Sequence, residues 1–142
     1  RIYLGCFPTL STGAPIPLRM KRGRYLYNFS GSAAADTLAL NAGTATVDTA
    51  VDLAAWVPLH SQVATIRAYL VSTTGAAANT AIIRTEGESG ADEIGMFVPA
   101  VVGASATVIT DIITDADQDI AYAVTNFTSA PGLSISVHGF YE

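Results

Sequence analysis

Residues 63–72 alternate in type: Ala64, Ile66, Ala68 and Leu70 fall on one side, and Thr65, Arg67, Tyr69 and Val71 on the other. A period of two puts successive side chains on opposite faces of an extended backbone, so this segment reads as a half-buried strand. The pattern recurs along the chain. Thr44 to Leu53 sets Thr44, Thr46, Asp48, Ala50 and Asp52 against Ala45, Val47, Thr49, Val51 and Leu53. Ala106 to Thr114 sets Val108, Thr110 and Ile112 against Ile109, Asp111 and Ile113, and Asp119 to Thr125 aligns Ile120, Tyr122 and Val124. Leu133 to Tyr141 sets Leu133, Ile135, Val137 and Gly139 against Ser134, Ser136, His138 and Phe140. Further extended runs are Arg1 to Phe7, Leu18 to Phe29 (a hairpin or kinked strand turning at Gly23), Thr80 to Thr85, and Glu93 to Val102, which Pro99 interrupts. No segment holds a helical period over three turns, and Ser30 to Leu40 offers at most one turn at Ala33–Ala35. About eight or nine strands with turn signals every ~8–12 residues predict an all-β chain, a single domain over residues 1–142 built as a sandwich or barrel.

Half of the 142 residues are hydrophobic and 13% are charged, against a usual charged share of about 25%. Either the chain enters a membrane or it buries extra surface against other chains, with Thr and Ser replacing charge outside. A spanning helix needs about 20 consecutive apolar residues, and the longest candidate, Met96 to Ile113, is broken by Pro99, Gly103, Ser105, Thr107, Thr110 and Asp111. No membrane span is expected, which leaves burial against other subunits or a surface made polar by Thr and Ser in place of charge. The net charge of −5 makes nucleic acid an unexpected partner, because phosphate binding needs a basic face. The chain starts at Arg1 without an apolar leader, so it is expected to be a processed piece of a longer protein.

Few residues offer chemistry. Cys6 is the single cysteine, so neither a disulfide framework nor a cysteine metal site is expected. His60 and His138 lie in no nucleophile-elbow motif, and a serine–histidine site needs base and nucleophile together. Glu86, Glu88, Asp92 and Glu93 fall in one loop, and Asp115, Asp117 and Asp119 in another. Such pairs can cleave sugars, but acids in turns more commonly cap local backbone groups. Asp115-Ala116-Asp117-Gln118-Asp119 copies the start of a calcium loop, yet Ile120 stands where that loop needs Gly and Asn126 where it needs Glu. Arg19, Lys21, Arg22 and Arg24 admit three readings: an anion-binding patch, a charged edge strand, or salt bridges between subunits to the Asp111–Asp119 region. The triplets at Asn28 and Asn126 match the glycosylation pattern by chance. Trp56 reads as a packing residue where a strand leaves the core. No enzyme, cofactor or metal is expected.

Two stretches resemble a known family. Val51-Asp52-Leu53-Ala54-Ala55-Trp56-Val57-Pro58, followed by the Val63–Ser72 strand, is similar to an opening found in C-terminal domains of bacteriophage tail fibres. Ile120-Ala121-Tyr122-Ala123-Val124, with Leu133 to Tyr141, is similar to the close of the same domains. The resemblance covers roughly the last two-thirds of the chain. It implies an antiparallel β-sandwich, jelly-roll-like, that assembles as a homotrimer at a fibre tip, on the virion surface beside other virion proteins. Such a domain binds a host cell-surface glycan or protein. The family carries no fixed binding residues, so the contact loops are expected from position alone: Thr73–Asn79, Glu86–Asp92 and Asn126–Gly132. Their candidate residues are Thr73, Thr74, Asn79, Glu86, Glu88, Asn126 and Thr128. The alternative is a capsid decoration or head-fibre protein that stabilises the virion, and a glycan depolymerase ranks behind both.

Overall fold

The computed structural model describes residues 18–27, 37–75, 77–88, 93–125 and 132–141. They form ten strands: β1 (Leu18–Lys21), β2 (Arg24–Tyr27), β3 (Leu38–Gly43), β4 (Thr49–Asp52), β5 (Val63–Val71), β6 (Asn79–Thr85), β7 (Ile94–Val98), β8 (Ser105–Ile113), β9 (Asp119–Thr125) and β10 (Leu133–Tyr141). All pairings are antiparallel, in two sheets. The larger runs β1-β2-β10-β5-β8, with β3 also paired to β10, and the smaller runs β4-β9-β6-β7. β2 and β3 share one edge of β10: β2 pairs with Gly139–Tyr141 and β3 with Leu133–Ser136.

The sheets meet on one apolar core. Ala64, Ile66, Ala68 and Leu70 of β5 are fully buried, together with Leu133, Ile135 and Val137 of β10. They pack in a single cluster with Val51, Ala81, Ile83, Met96, Val98, Ile120, Tyr122 and Val124 from the smaller sheet. This is the two-layer solution for sheets that are apolar on one face. The alternation anticipated for Val63–Ser72 and Asp119–Thr125 therefore appears as a burial pattern. Trp56 packs against the same core, in a turn where its N–H donates to the Leu53 carbonyl at 2.9 Å.

Several boundaries differ from the sequence expectation. Thr44–Leu53 is not one strand: β4 starts at Thr49, and Val47, expected inward, is 72% exposed. Leu38–Gly43, which begins inside the Ser30–Leu40 segment expected to hold no strand, is strand β3. It is irregular, because its register slips twice against β10 and Ala42 sits at φ 52°. Bulges of this kind carry a strand without strict alternation, which is why the pattern hid it. The strand after Glu93 stops at Val98, since Pro99 cannot donate to a ladder. Phe140, expected outward, is buried. The register slips between Val137 and Gly139, so His138 is the extra residue and the phase reverses after it. Within the expected Leu18–Phe29 run, Leu18–Tyr27 is a hairpin whose turn, Arg22-Gly23, has φ 55° and 78°, the doubly positive form that matches strand twist. Arg1–Phe7, Cys6 and Asn28 lie outside the described residues.

Candidate functional site

The register fixes which loops share an end of the sandwich. Asn79 pairs with Val98 and Thr80 with Thr125, whereas Thr85 pairs with Ile120. The turn with Thr73 and Thr74 and the end of β9 at Thr125 therefore lie at one end. The turn with Glu86 and Glu88 lies at the other. The three expected contact loops thus do not make one surface. Thr74 is exposed and Thr73 partly so, beside Gly75, whose backbone lies against Val101 and Val102. Asn79 is not a loop residue: it opens β6 and is buried. Glu86 is half-buried and Glu88 exposed. Asn126 and Thr128, like Asp92, lie outside the described residues.

The Glu86 end is acidic. Asp115 closes its turn with one carboxylate oxygen that accepts the Asp117 and Asp119 amides at 2.9 and 2.7 Å. Burial pushes the Asp119 carboxyl above the usual range, and Asp115, Asp52, Asp117 and Glu86 push it the same way. Among the described residues no three His, Cys, Asp or Glu side chains gather as a metal-binding set. The Asp115 carboxylate is occupied in holding its own turn.

The outward face of the larger sheet carries two hollows. Across it, the strand register aligns three rows: Ser134, Tyr69 and Thr107; Ser136, Arg67 and Ile109; then Thr65 and Asp111. One hollow, of about 290 Å³, is lined by Arg22, Arg24, Leu26 and Tyr141. A polar cluster borders it. Arg24 donates to Asp111 at 2.8 Å and to the Thr65 hydroxyl at 2.9 and 3.0 Å, and its guanidinium lies 5.4 Å from the Tyr141 ring centroid. Thr65 and the Tyr141 phenol donate to the same carboxylate at 2.6 and 2.8 Å. The Asp111 hydrogen bond, then burial, raises the Tyr141 phenol above its ordinary value. The Arg24–Asp111 ion pair lies within one chain.

The second hollow, of about 190 Å³, is lined by Leu38, Arg67, Tyr69, Ser134 and Ser136. The Ala42 amide, in the β3 bulge, donates to Ser134 Oγ at 3.4 Å. His138 lies near: burial lowers its pKa, and the Arg67 charge lowers it further. Sequence reading placed Arg67, Tyr69, Ser134 and Ser136 on outward faces but did not join them, because β5 and β10 are far apart in the chain. The pairing of those two strands was the missing information. On the smaller sheet, Arg84 joins Asp48 and Glu93, the latter at 2.5 Å.

Large apolar side chains are also exposed, several of them on two edge strands and the turn between them. Phe97 on β7, Val101 and Val102 in the turn after it, and Ile109 and Ile113 on β8 are each more than half accessible. β7 and β8 are edge strands of their sheets among the described residues. No helix of the described residues is long and apolar enough to cross a membrane. No protein-family model matches the chain, and no curated protein matches it either.

Proposed function

We propose that the chain is a non-enzymatic virion domain: the trimeric, receptor-binding tip of a bacteriophage tail fibre, which attaches the particle to a host-surface glycan or protein. The observation that carries the reading is the set of exposed apolar side chains on the edge strands β7 and β8 and the turn between them: Phe97, Val101, Val102, Ile109 and Ile113. A long, low-charge edge strand such as β8 invites pairing or packing with another chain unless it is covered. A symmetric assembly covers it. The strand orders lend support. From β3 onward they run β3-β10-β5-β8 and β4-β9-β6-β7, which reads as the double-sheet jelly roll common in virion and lectin domains. That step is a likeness of architecture, and one architecture hosts many functions.

In this reading each copy contributes a weak site, and three sites on one tip bind together because the second and third contacts are intramolecular. The test is the mass of the purified chain by light scattering at low micromolar concentration, followed by binding to a panel of bacterial cells. A trimer that binds cells supports the reading. A chain that binds no cells but adheres to empty capsids turns it into the decoration protein. A monomer that binds neither overturns it.

A further inference from the structure

We propose that the hollow between β3, β5 and β10 binds an acidic sugar unit, a uronate or a sialate: Arg67 takes the carboxylate, Ser134 and Ser136 bond ring hydroxyls, and Tyr69 supplies the apolar surface. The assignment rests on the receptor-binding reading and names the ligand class for it.

The charge on Arg67 is the starting point. Arg24 is paired with Asp111, and Arg84 with Asp48 and Glu93. No acid among the described residues pairs with Arg67, and its register neighbours are the uncharged Ile109 and Ser136. Burial, and then the Arg67 charge, lowers the pKa of His138 and so favours its neutral form beside Arg67. Arg67 thus holds a guanidinium ready for a carboxylate, the planar anion that its fork of donors fits.

The lining then selects a sugar. Ser134 Oγ already accepts the Ala42 amide, so its hydroxyl proton is left to donate, and Ser136 adds a second hydroxyl. Leu38 and Tyr69 give an apolar wall for the C–H face of a ring. About 190 Å³ lies below the ~300–1,000 Å³ of drug-sized pockets, which suits one ring with its carboxylate. Acidity elsewhere on the protein does not forbid this. The Asp115 turn follows β8 at the Ile113 end, whereas the hollow adjoins Tyr69. The nearer Asp111 is already paired with Arg24, and four residues of β5 separate Val63, opposite Ile113, from Arg67, roughly 13 Å at about 3.3 Å per residue. That exceeds the screening length of about 8 Å at physiological salt.

The experiment is calorimetric titration of the full chain with glucuronate, N-acetylneuraminate and, as the neutral counterpart, glucose. Arg67→Ala, Arg67→Lys and Tyr69→Ala are run beside it. At least one acidic sugar is expected to bind at millimolar concentration, about tenfold or more tighter than glucose. Arg67→Ala should abolish the preference, Arg67→Lys retain part of it, and Tyr69→Ala weaken all binding. Equal affinity for acidic and neutral sugars, no binding of either acidic sugar, or an Arg67→Ala variant that keeps the preference overturns the assignment. Binding of the same variants to the cell panel separates the two claims. Cells held as well by Arg67→Ala as by the parent leave the receptor reading standing and the hollow misassigned. Acidic sugar bound through Arg67 with no cell in the panel held supports the hollow and overturns the receptor reading.

Discussion

The Arg24 guanidinium reaches the Asp111 carboxylate at 2.8 Å, so β2 is tied to β8 across the two strands between them. Thr65 and Tyr141 bond the same carboxylate, giving a polar strap over the outward face of β10 and β5. Asp111 carries the strap, because each of the other three groups donates to it. Its side chain is 38% exposed, so water screens the ion pair and the value lies well below that of a buried bridge. Asp111→Ala is expected to lower unfolding stability by about 1–2 kcal/mol, and Arg24→Ala by less. The double variant should lose less than the sum, since both changes remove one shared interaction. Chemical denaturation of the four proteins measures this, and strict additivity would mean the two side chains do not cooperate.

Gly139 makes the opposite kind of contact, a close approach of backbones at the β10 bulge. It pairs with Leu26, and a Cβ at this position would overlap the Tyr25 carbonyl oxygen. A main-chain atom cannot swing aside as the end of a side chain can. Gly139→Ala should therefore fall towards the upper part of the ~1–3 kcal/mol range for overpacking. It should also disturb Tyr25 and Phe140, which stack with ring centroids 5.1 Å apart. Thermal melts give the first effect, and near-ultraviolet circular dichroism the second. A variant that melts with the parent would show that β2 shifts away without loss.

These two sites mark what the sequence made legible. The inward set of β5 was readable because Ala64, Ile66, Ala68 and Leu70 keep strict phase on a regular strand. Phe140 was placed on the wrong face because a single bulge at His138 reverses phase, and nothing in the local pattern signals it. β3 escaped for the same reason, with two slips in six residues. A meeting of the basic run with the Asp111–Asp119 region was one sequence reading, though between subunits; the intrachain strap from Arg24 to Asp111 and the Arg67 hollow were illegible for a different cause. Their members lie on strands brought together by long-range pairing, such as Arg24 with Asp111, and alternation reports a face without naming its neighbour. Asn79 was mistaken for a loop tip because the turn around Gly75 ends one residue earlier than composition suggests.

Asp119 gives the chain a pH dependence of definite sign. Its carboxyl is raised by burial first, then by Asp115, Asp52, Asp117 and Glu86. The folded chain thus holds this proton to higher pH than the unfolded chain does. The stability gained from the protonated form is full below the unfolded value of about 3.9 and is lost as pH rises through the folded value. At neutral pH the charged carboxylate therefore opposes folding. Asp119→Asn keeps the backbone bonds to Asp115 and removes that charge. It should stabilise the chain at pH 7 by roughly 0.5 kcal/mol, small because water screens the acidic end. The gain should vanish below about pH 4. Melts of parent and variant across that range test it, and a variant less stable than the parent at pH 7 would reverse the sign assigned to Asp119.

The exposed apolar residues of the edge strands β7 and β8 yield the prediction that bears on assembly. Ile109 is 60% exposed and Phe97 61%, so neither can contribute much to the core of a single chain. Replacing an exposed side chain away from special features changes stability by about 0.5 kcal/mol or less. The same replacement inside a subunit contact removes apolar burial and inserts a charge that must be desolvated. Ile109→Lys and Phe97→Lys should therefore leave the monomer's fold intact while shifting mass by light scattering towards one chain. Lysine on an edge strand is also the usual means by which natural sheets refuse further pairing. If both variants keep the parent's mass, the chains meet elsewhere, and the surface made by β7 and β8 faces a different partner or solvent. If both lose mass and keep their melting behaviour, β7 and β8 form the contact, and their exposure in a single chain reflects a neighbour taken away.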